Sequence, residues 1–312
     1  MATVLITGGT GLIGKALSKM LIEKNHSVVI LTRKIPAIQP VVNGISYALW
    51  NVEAGSIDST AIASADYIIH LAGAGVADKR WTAKRKKEIV ESRTKSGELI
   101  VKALTKIQNN VKAVISSSAI GWYGADNPHS LQNGFAETDN NDESFLGNTC
   151  RQWEQSLSPV ETLGKRLVFI RTGIVLANEG GAYMEFKKPL RFSVAAILGS
   201  GEQVVSWIHI EDICRMYLFA LEHNISGAYN GVAPMPVNNK ELTLQLAKKL
   251  RNSFYIAVHV PVFILKILLG EMSVEILKSA TVSAHKIRAA GFKFLYPSID
   301  AALTDLVKKQ KS

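Results

Sequence analysis

Thr7-Gly8-Gly9-Thr10-Gly11-Leu12-Ile13-Gly14 is the stretch that decides how this chain is read. It follows the apolar run Val4 to Thr7 and precedes Leu12, Ile13, Ala16, Leu17, Met20 and Leu21, which recur at helical spacing. The order is therefore strand, glycine turn, helix. In that context each glycine has a physical task. Gly8 permits the tight turn, Gly11 lets backbone approach a diphosphate, and Gly14 lets the helix lie close against the strand. Amide groups of Thr10 to Gly14, at the positive end of the helix, would hold the phosphates. The competing explanation is a turn whose glycines serve geometry alone.

Outward from the turn, the same rhythm repeats. Val28 to Thr32, Tyr67 to Ala72, Ala113 to Ser117 and Leu167 to Ile170 read as buried strands, with helical patterns over 84–104 and 149–163. Continuous apolar strands separated by helices imply an α/β fold, a Rossmann-type doubly wound parallel sheet covered on both faces. After about residue 177, Gly180-Gly181, Pro189, Gly199 to Gly201 and Pro234 to Pro236 mark longer loops, with helices expected over 238–251, 261–279 and 283–290. The expectation is a first domain over 1–177, to which a segment near 204–230 returns. A smaller, mostly helical substrate domain would span 178–312.

Composition narrows the class. The chain has 312 residues, 47% hydrophobic and 20% charged, which excludes a disordered polypeptide. The longest apolar runs, Val260 to Gly270 and Val111 to Ile120, are too short to cross a bilayer and each contains a lysine. No secretory leader is apparent, and Cys150 and Cys214 lie far apart, which fits a reducing, cytoplasmic setting. The seven histidines never pair at ligand spacing, so no metal is expected. The net charge of +10 suits nucleic acid, an acidic membrane surface or an anionic small ligand.

The end of the second strand selects the dinucleotide. A site for NAD places an acid about 20 residues past the turn, on the ribose 2′-hydroxyl. Here the chain reads Thr32-Arg33-Lys34, with no acid. Arg33 can fork onto a 2′-phosphate and Lys34 adds a point charge, so the expected cofactor is NADP(H). The alternative is a solvated loop that merely begins with two cations.

Further residues fall into a known order: Asp66-Tyr67-Ile68-Ile69-His70-Leu71-Ala72-Gly73, Ser116-Ser117-Ser118-Ala119 with Tyr123-Gly124, and Trp207-Ile208-His209-Ile210-Glu211-Asp212. Together with the glycine turn they resemble extended short-chain dehydrogenase/reductases of the NAD-dependent epimerase/dehydratase superfamily. Lys79-Arg80-Trp81, Glu91-Ser92-Arg93, Cys150-Arg151-Gln152-Trp153-Glu154 and Leu269-Gly270-Glu271-Met272 resemble an atypical branch assigned to nucleotide-sugar epimerases, including its C-terminal tail. The resemblance implies cofactor contacts from Leu71, Ala72, Gly73, Glu88, Arg93 and Val175. Active members of the superfamily use Ser/Thr, Tyr and Lys, the last two spaced Tyr-x-x-x-Lys.

That last pattern is broken here. Ser118 stands at the serine position, with Ser117 as the near alternative, but the register set by Trp153-Glu154 puts Leu146 where the tyrosine belongs and Cys150 where the lysine belongs. Leucine carries no acidic proton and cysteine no positive charge. Tyr123 is the substitute acid/base by position, against the alternative of a tyrosine packed beneath a loop. Cys150 and His70 read as buried core groups.

The sequence thus implies an NADP(H)-dependent nucleotide-sugar epimerase or carbonyl/sugar oxidoreductase, with Ser118 and Tyr123 as catalytic candidates. The alternative is an NADP(H)-dependent regulatory or scaffold protein with weak activity or none. The expected partner is a small phosphorylated or nucleotide-sugar molecule, with neither nucleic acid nor membrane, for a monomer or homodimer. The basic stretch Lys79 to Lys87 stays unassigned, a solvated helix face or a rim facing phosphates.

Overall fold

The computed structural model describes residues 1–35 and 44–311. The chain opens with β1 (Thr3–Thr7), α1 (Leu12–Glu23), β2 (Ser27–Thr32), β3 (Ile45–Asn51), β4 (Ser56–Ile57), α2 (Ser59–Ser64), β5 (Tyr67–His70), α3 (Ala83–Lys106) and β6 (Ala113–Ala119). It continues through α4 (Pro128–Asn133), α5 (Phe145–Leu157), α6 (Pro159–Thr162), β7 (Arg166–Thr172), β8 (Ile174–Leu176), α7 (Ala182–Leu190), β9 (Val194–Leu198), β10 (Val204–Val205) and β11 (Trp207–His209). Next come α8 (Ile210–Glu222), β12 (Gly227–Gly231), β13 (Val237–Asn238), α9 (Asn239–Arg251) and β14 (Ile256–Val260). The tail holds α10 (Val262–Leu269), α11 (Ser273–Leu277), α12 (His285–Ala289) and α13 (Ile299–Lys311).

The main sheet has the order β12-β7-β6-β5-β1-β2-β3-β4. All its pairs are parallel except β3 with the short edge strand β4. Strand order reverses between β1 and β5, and in open α/β sheets ligands bind at that crevice. The doubly wound expectation is met. One sheet face buries Leu17 and Leu21 of α1 with Ile213, Met216 and Tyr217 of α8. The other buries Ile62 of α2, Leu99 and Ile100 of α3, and Leu157 of α5. Buried on both sides, the central strands carry uninterrupted apolar runs, such as Val4 to Ile6 and Ala113 to Ile115, rather than alternating.

A second lobe gathers Tyr183, Leu190, Ala195, Leu242, Leu246, Leu303 and Leu306 into a core of its own. The tail does not stay in that lobe. Val282, Ala284, Ile287 and Phe292 pack into the core of the main sheet, a return beyond the one expected near 204–230. Asp126 fastens this strap by accepting from Ser279 Oγ, Thr281 N and Thr281 Oγ1.

Three element limits differ from expectation. The helix expected over 149–163 starts at Phe145, where the Ser144 hydroxyl accepts from Gly147 N, and Pro159 begins a separate turn of helix. The helix expected over 261–279 breaks at Gly270, whose φ of +61° is left-handed. The terminal helix α13 was not expected.

Candidate cofactor-binding and active site

The glycine turn has the geometry its residues require. Gly8 has a φ of +70°, and a Cβ there would lie 2.8 Å from the Leu71 carbonyl carbon. A Cβ on Gly14 would lie 2.4 Å from Gly8 O, so only glycine lets α1 start this close to the turn. At Gly11 the only neighbour of such a Cβ among the described residues is Gly8 O at 3.3 Å. Gly11 is also the N-cap of α1 and no side chain caps that helix. Thr10 and Gly11 are exposed, Leu12 and Ile13 half-buried. Open amides at an uncapped helix start form a cradle that fits a diphosphate.

Thr7 joins the turn to the next strand end. Its Oγ1 accepts from Leu71 N and Ala72 N, both at 3.2 Å, and lies 2.7 Å from His70 Nδ1. His70 is fully buried and its Nε2 lies 3.2 Å from Ser96 Oγ. Burial, with the Arg93 charge adding to it, holds the imidazole down at about 3. It is a neutral spacer between β1, β5 and α3.

Above Ala72 the chain turns out through Gly73. Arg93 Nη1 donates to Ala74 O at 3.0 Å and to Ile89 O at 2.9 Å, and its guanidinium lies 4.9 Å from the Trp153 ring centroid. A Cβ on Gly73 would come 3.0 Å from Arg93 Cζ. Arg93 has no carboxylate partner among the described residues, and burial depresses its pKa. Glu88, by contrast, is mostly exposed and bound to Arg85 Nη1 at 2.8 Å. On the far side, Leu12 Cδ2 lies 3.3 Å from a Cβ built on Gly181, which also approaches Val175 O. Thus the turn, Leu71, Ala72, Gly73, Arg93 and Val175 border one crevice. Arg33 and Lys34, exposed at the end of β2, have no ion pair among the described residues. Thr32 Oγ1 donates to Lys34 O and shapes that corner.

The serine, tyrosine and α5 positions form a different kind of site. Ser118 is 1% exposed and its hydroxyl donates to Glu154 Oε1 at 2.7 Å. Glu154 receives Arg171 Nε at 2.9 Å and Nη2 at 3.0 Å, a buried two-pronged ion pair. Arg171 Nη1 then donates to the Tyr123 hydroxyl at 3.1 Å, and Tyr123 donates to Asn230 Oδ1 at 2.7 Å. The Arg171 guanidinium lies 3.6 Å from the Trp122 ring centroid. Tyr123 is fully buried, stacks on Phe135, and burial pushes its hydroxyl up to about 12. With both hydrogen-bonding roles used, it has no open side for a substrate. The geometry therefore speaks against the expected acid/base role of Tyr123.

Leu146, Cys150 and Glu154 recur every fourth residue on α5 and form one stripe toward β6. Built Cβ positions place Gly121 near Leu146 Cβ and Cys150 Sγ, and Cys150 Sγ lies 3.6 Å from Ala119 O. Burial, and then the Glu154 charge, pushes the Cys150 thiol up to about 11, so it is no thiolate at neutral pH. Sequence reasoning missed Glu154 and Arg171 as partners. The signals were present: Glu154 continues the Leu146–Cys150 stripe, and a charge inside the buried strand Arg166–Thr172 requires a partner.

Comparison with known proteins follows this geometry. The profile described as NAD dependent epimerase/dehydratase family matches residues 4–146. A Bacillus subtilis relative, epimerase family protein YfhF, is 33% identical over 311 residues, covering 99% of both chains. The chain belongs to the NAD-dependent epimerase/dehydratase family. A second profile, a domain of unknown function (DUF1731), matches 260–306, which spans the strap and its helices. Among solved structures, human epimerase family protein SDR39U1 (isoform 2), determined with NADPH, is 28% identical with a TM-score of 0.84, over 98% of this chain and 99% of that one. A nucleoside-diphosphate sugar epimerase from Corynebacterium glutamicum is 29% identical with a TM-score of 0.75, over 99% of this chain and 61% of that one. As an extended short-chain dehydrogenase/reductase of this family, the chain keeps the fold and the glycine turn, while its α5 positions carry Leu146 and Cys150; a Tyr-x-x-x-Lys spacing occurs instead at Tyr183 and Lys187 on α7.

Proposed function

We propose that this family member binds NADP(H) and exchanges hydride with a small phosphorylated carbonyl or carbinol, of the nucleotide-sugar class, as a reductase or epimerase. The observation that carries the reading is the glycine cradle of Gly8, Gly11 and Gly14, with Arg33 and Lys34 exposed at the end of β2 and without an ion pair among the described residues. When bound, the cofactor supplies a hydride donor or acceptor. This chain's residues do the rest. The cradle holds the diphosphate, Arg33 and Lys34 take the 2′-phosphate, and Val175 backbone borders the reacting end. Arg93, its guanidinium 4.9 Å from the Trp153 ring of α5, brings a cation to that helix, so the charge missing from the lysine position comes from α3 instead of α5.

A second reading, an NADP(H)-responsive regulatory protein, is favoured by one specific observation. Ser118 and Tyr123 are both sealed into the Glu154–Arg171 network, and no other side chain stands at the tyrosine position to deliver a proton. Oxidation of NADPH across carbonyl and sugar-nucleotide panels separates the two. Turnover that depends on Arg93 supports the oxidoreductase. Tight NADPH binding without turnover on any substrate supports the regulator, and absence of NADPH binding overturns both.

A further inference from the structure

One helix of the tail breaks a rule that the others obey. A helix that is apolar on every side belongs in a core. Helix α10 reads Val-Phe-Ile-Leu-Lys-Ile-Leu-Leu, yet buries only Leu265. Phe263, Ile267 and Leu268 are 63%, 66% and 67% exposed. This is not a helix left undocked, because the turn that follows is anchored. Leu269, Met272 and Ile276 pack on Trp81 and Ile89. Exposed apolar clusters of this kind mark contact surfaces.

The same corner collects positive charge. A Cβ on Gly270, at the end of α10, would meet Arg80 Nε at 2.6 Å, and Lys86 pairs with Glu271. The start of the basic stretch Lys79 to Lys87 therefore adjoins the end of α10. Lys79, Arg80 and Lys84 are exposed there. Lys266, on α10 itself, is exposed as well, and the adjoining acids Asp78 and Glu271 are paired with Arg85 and Lys86.

We propose that α10 and the adjoining Lys79–Lys84 segment form a docking surface for an anionic lipid bilayer. Phe263, Ile267 and Leu268 enter the interface, Lys266 extends its ammonium to the headgroups, and the neighbouring cations face lipid phosphates. Charge complementarity selects this occupant. A second copy would bring two basic rims together, and a nucleic acid offers Ile267 and Leu268 no apolar phase. No described helix is long and apolar enough to cross a membrane, and surface docking requires none. The proposal departs from the sequence expectation of no membrane partner and stands apart from the cofactor site.

Sedimentation of the full chain with vesicles tests it. Vesicles of phosphatidylcholine mixed with phosphatidylglycerol should carry down about tenfold more protein than phosphatidylcholine alone, with the difference shrinking as salt rises. Ile267→Glu and, separately, Lys79→Glu with Lys84→Glu should each lower that binding about tenfold. An unchanged melting temperature establishes that these surface variants fold. Equal binding to both vesicles, no binding to either, or variants that bind as well as the parent chain would overturn the proposal. So would a homodimer that Ile267→Glu dissociates, because a second copy would then be the occupant.

Discussion

The two ends of the crevice were treated differently by the same chain. At the glycine-turn end the groups are open: a helix start capped by a glycine, a turn that admits only glycine at Gly8 and Gly14, and two exposed cations at β2 without an ion pair among the described residues. At the α5 end, the groups are satisfied by one another. Ser118, Glu154, Arg171, Tyr123 and Asn230 form one closed chain of hydrogen bonds. Open polar groups are poised to bind, whereas closed networks fix a structure. The contrast teaches that an open glycine turn and a closed hydrogen-bond network stand side by side in this fold.

Disrupting the closed end should cost stability first. Glu154→Ala leaves Arg171 buried without its counter-charge and should lower stability by ~3–5 kcal/mol, read from urea unfolding. A loss below about 1 kcal/mol would mean that water reaches Arg171 and that the network is open after all.

His70 separates the two ends by pH. Its imidazole stays neutral in the fold down to about 3, while in the unfolded chain it takes up a proton near 6.5. Acidification below about 6.5 therefore favours unfolding, and this contribution falls by up to ~1.4 kcal/mol per pH unit until about 3. Unfolding free energies of His70→Gln and the parent chain, measured across that range, should converge as pH falls. Parallel curves would show that His70 is not held neutral.

Smaller effects refine the picture. Tyr123→Phe deprives Asn230 and Arg171 of a buried partner and should cost ~1–3 kcal/mol, with NADPH affinity unchanged. Ser118→Ala removes one bond to Glu154 and should cost ~1 kcal/mol by thermal unfolding. If either variant instead folds like the parent but loses all turnover, its hydroxyl reaches the substrate and the α5 end is not closed.

Much of this was legible in the sequence, and the remainder was hidden for physical reasons. The glycine turn declares itself because strand, turn and helix are contiguous, so local rules suffice. The strands at 28–32, 67–72 and 113–117 are equally plain from their apolar runs Val28 to Leu31, Ile68-Ile69 and Ala113 to Ile115. The residues at the expected tyrosine and lysine positions could be read from the register of Trp153-Glu154; in the fold Leu146 lies beside Gly121 and Cys150 beside Ala119 O at the end of β6. The partnership of Glu154 with Arg171 spans two elements, and sequence gives no distance between them. The return of Val282 and Phe292 to the main sheet is a tertiary fact that periodicity does not carry. Helix α13 went unread because the Ile299–Lys311 pattern abuts the chain end, with no loop signal after it. The apolar run at Val260 to Gly270 was noticed as too short for a span, but its exposure became visible only in the fold.

The most direct test of the contrast is a titration of NADPH and NADH into the parent chain and Arg33→Asp. The account predicts tighter binding of NADPH by the parent, a loss of about tenfold to a hundredfold for NADPH in the variant, and little change for NADH. An equal loss for both nucleotides, or no preference in the parent, would contradict it.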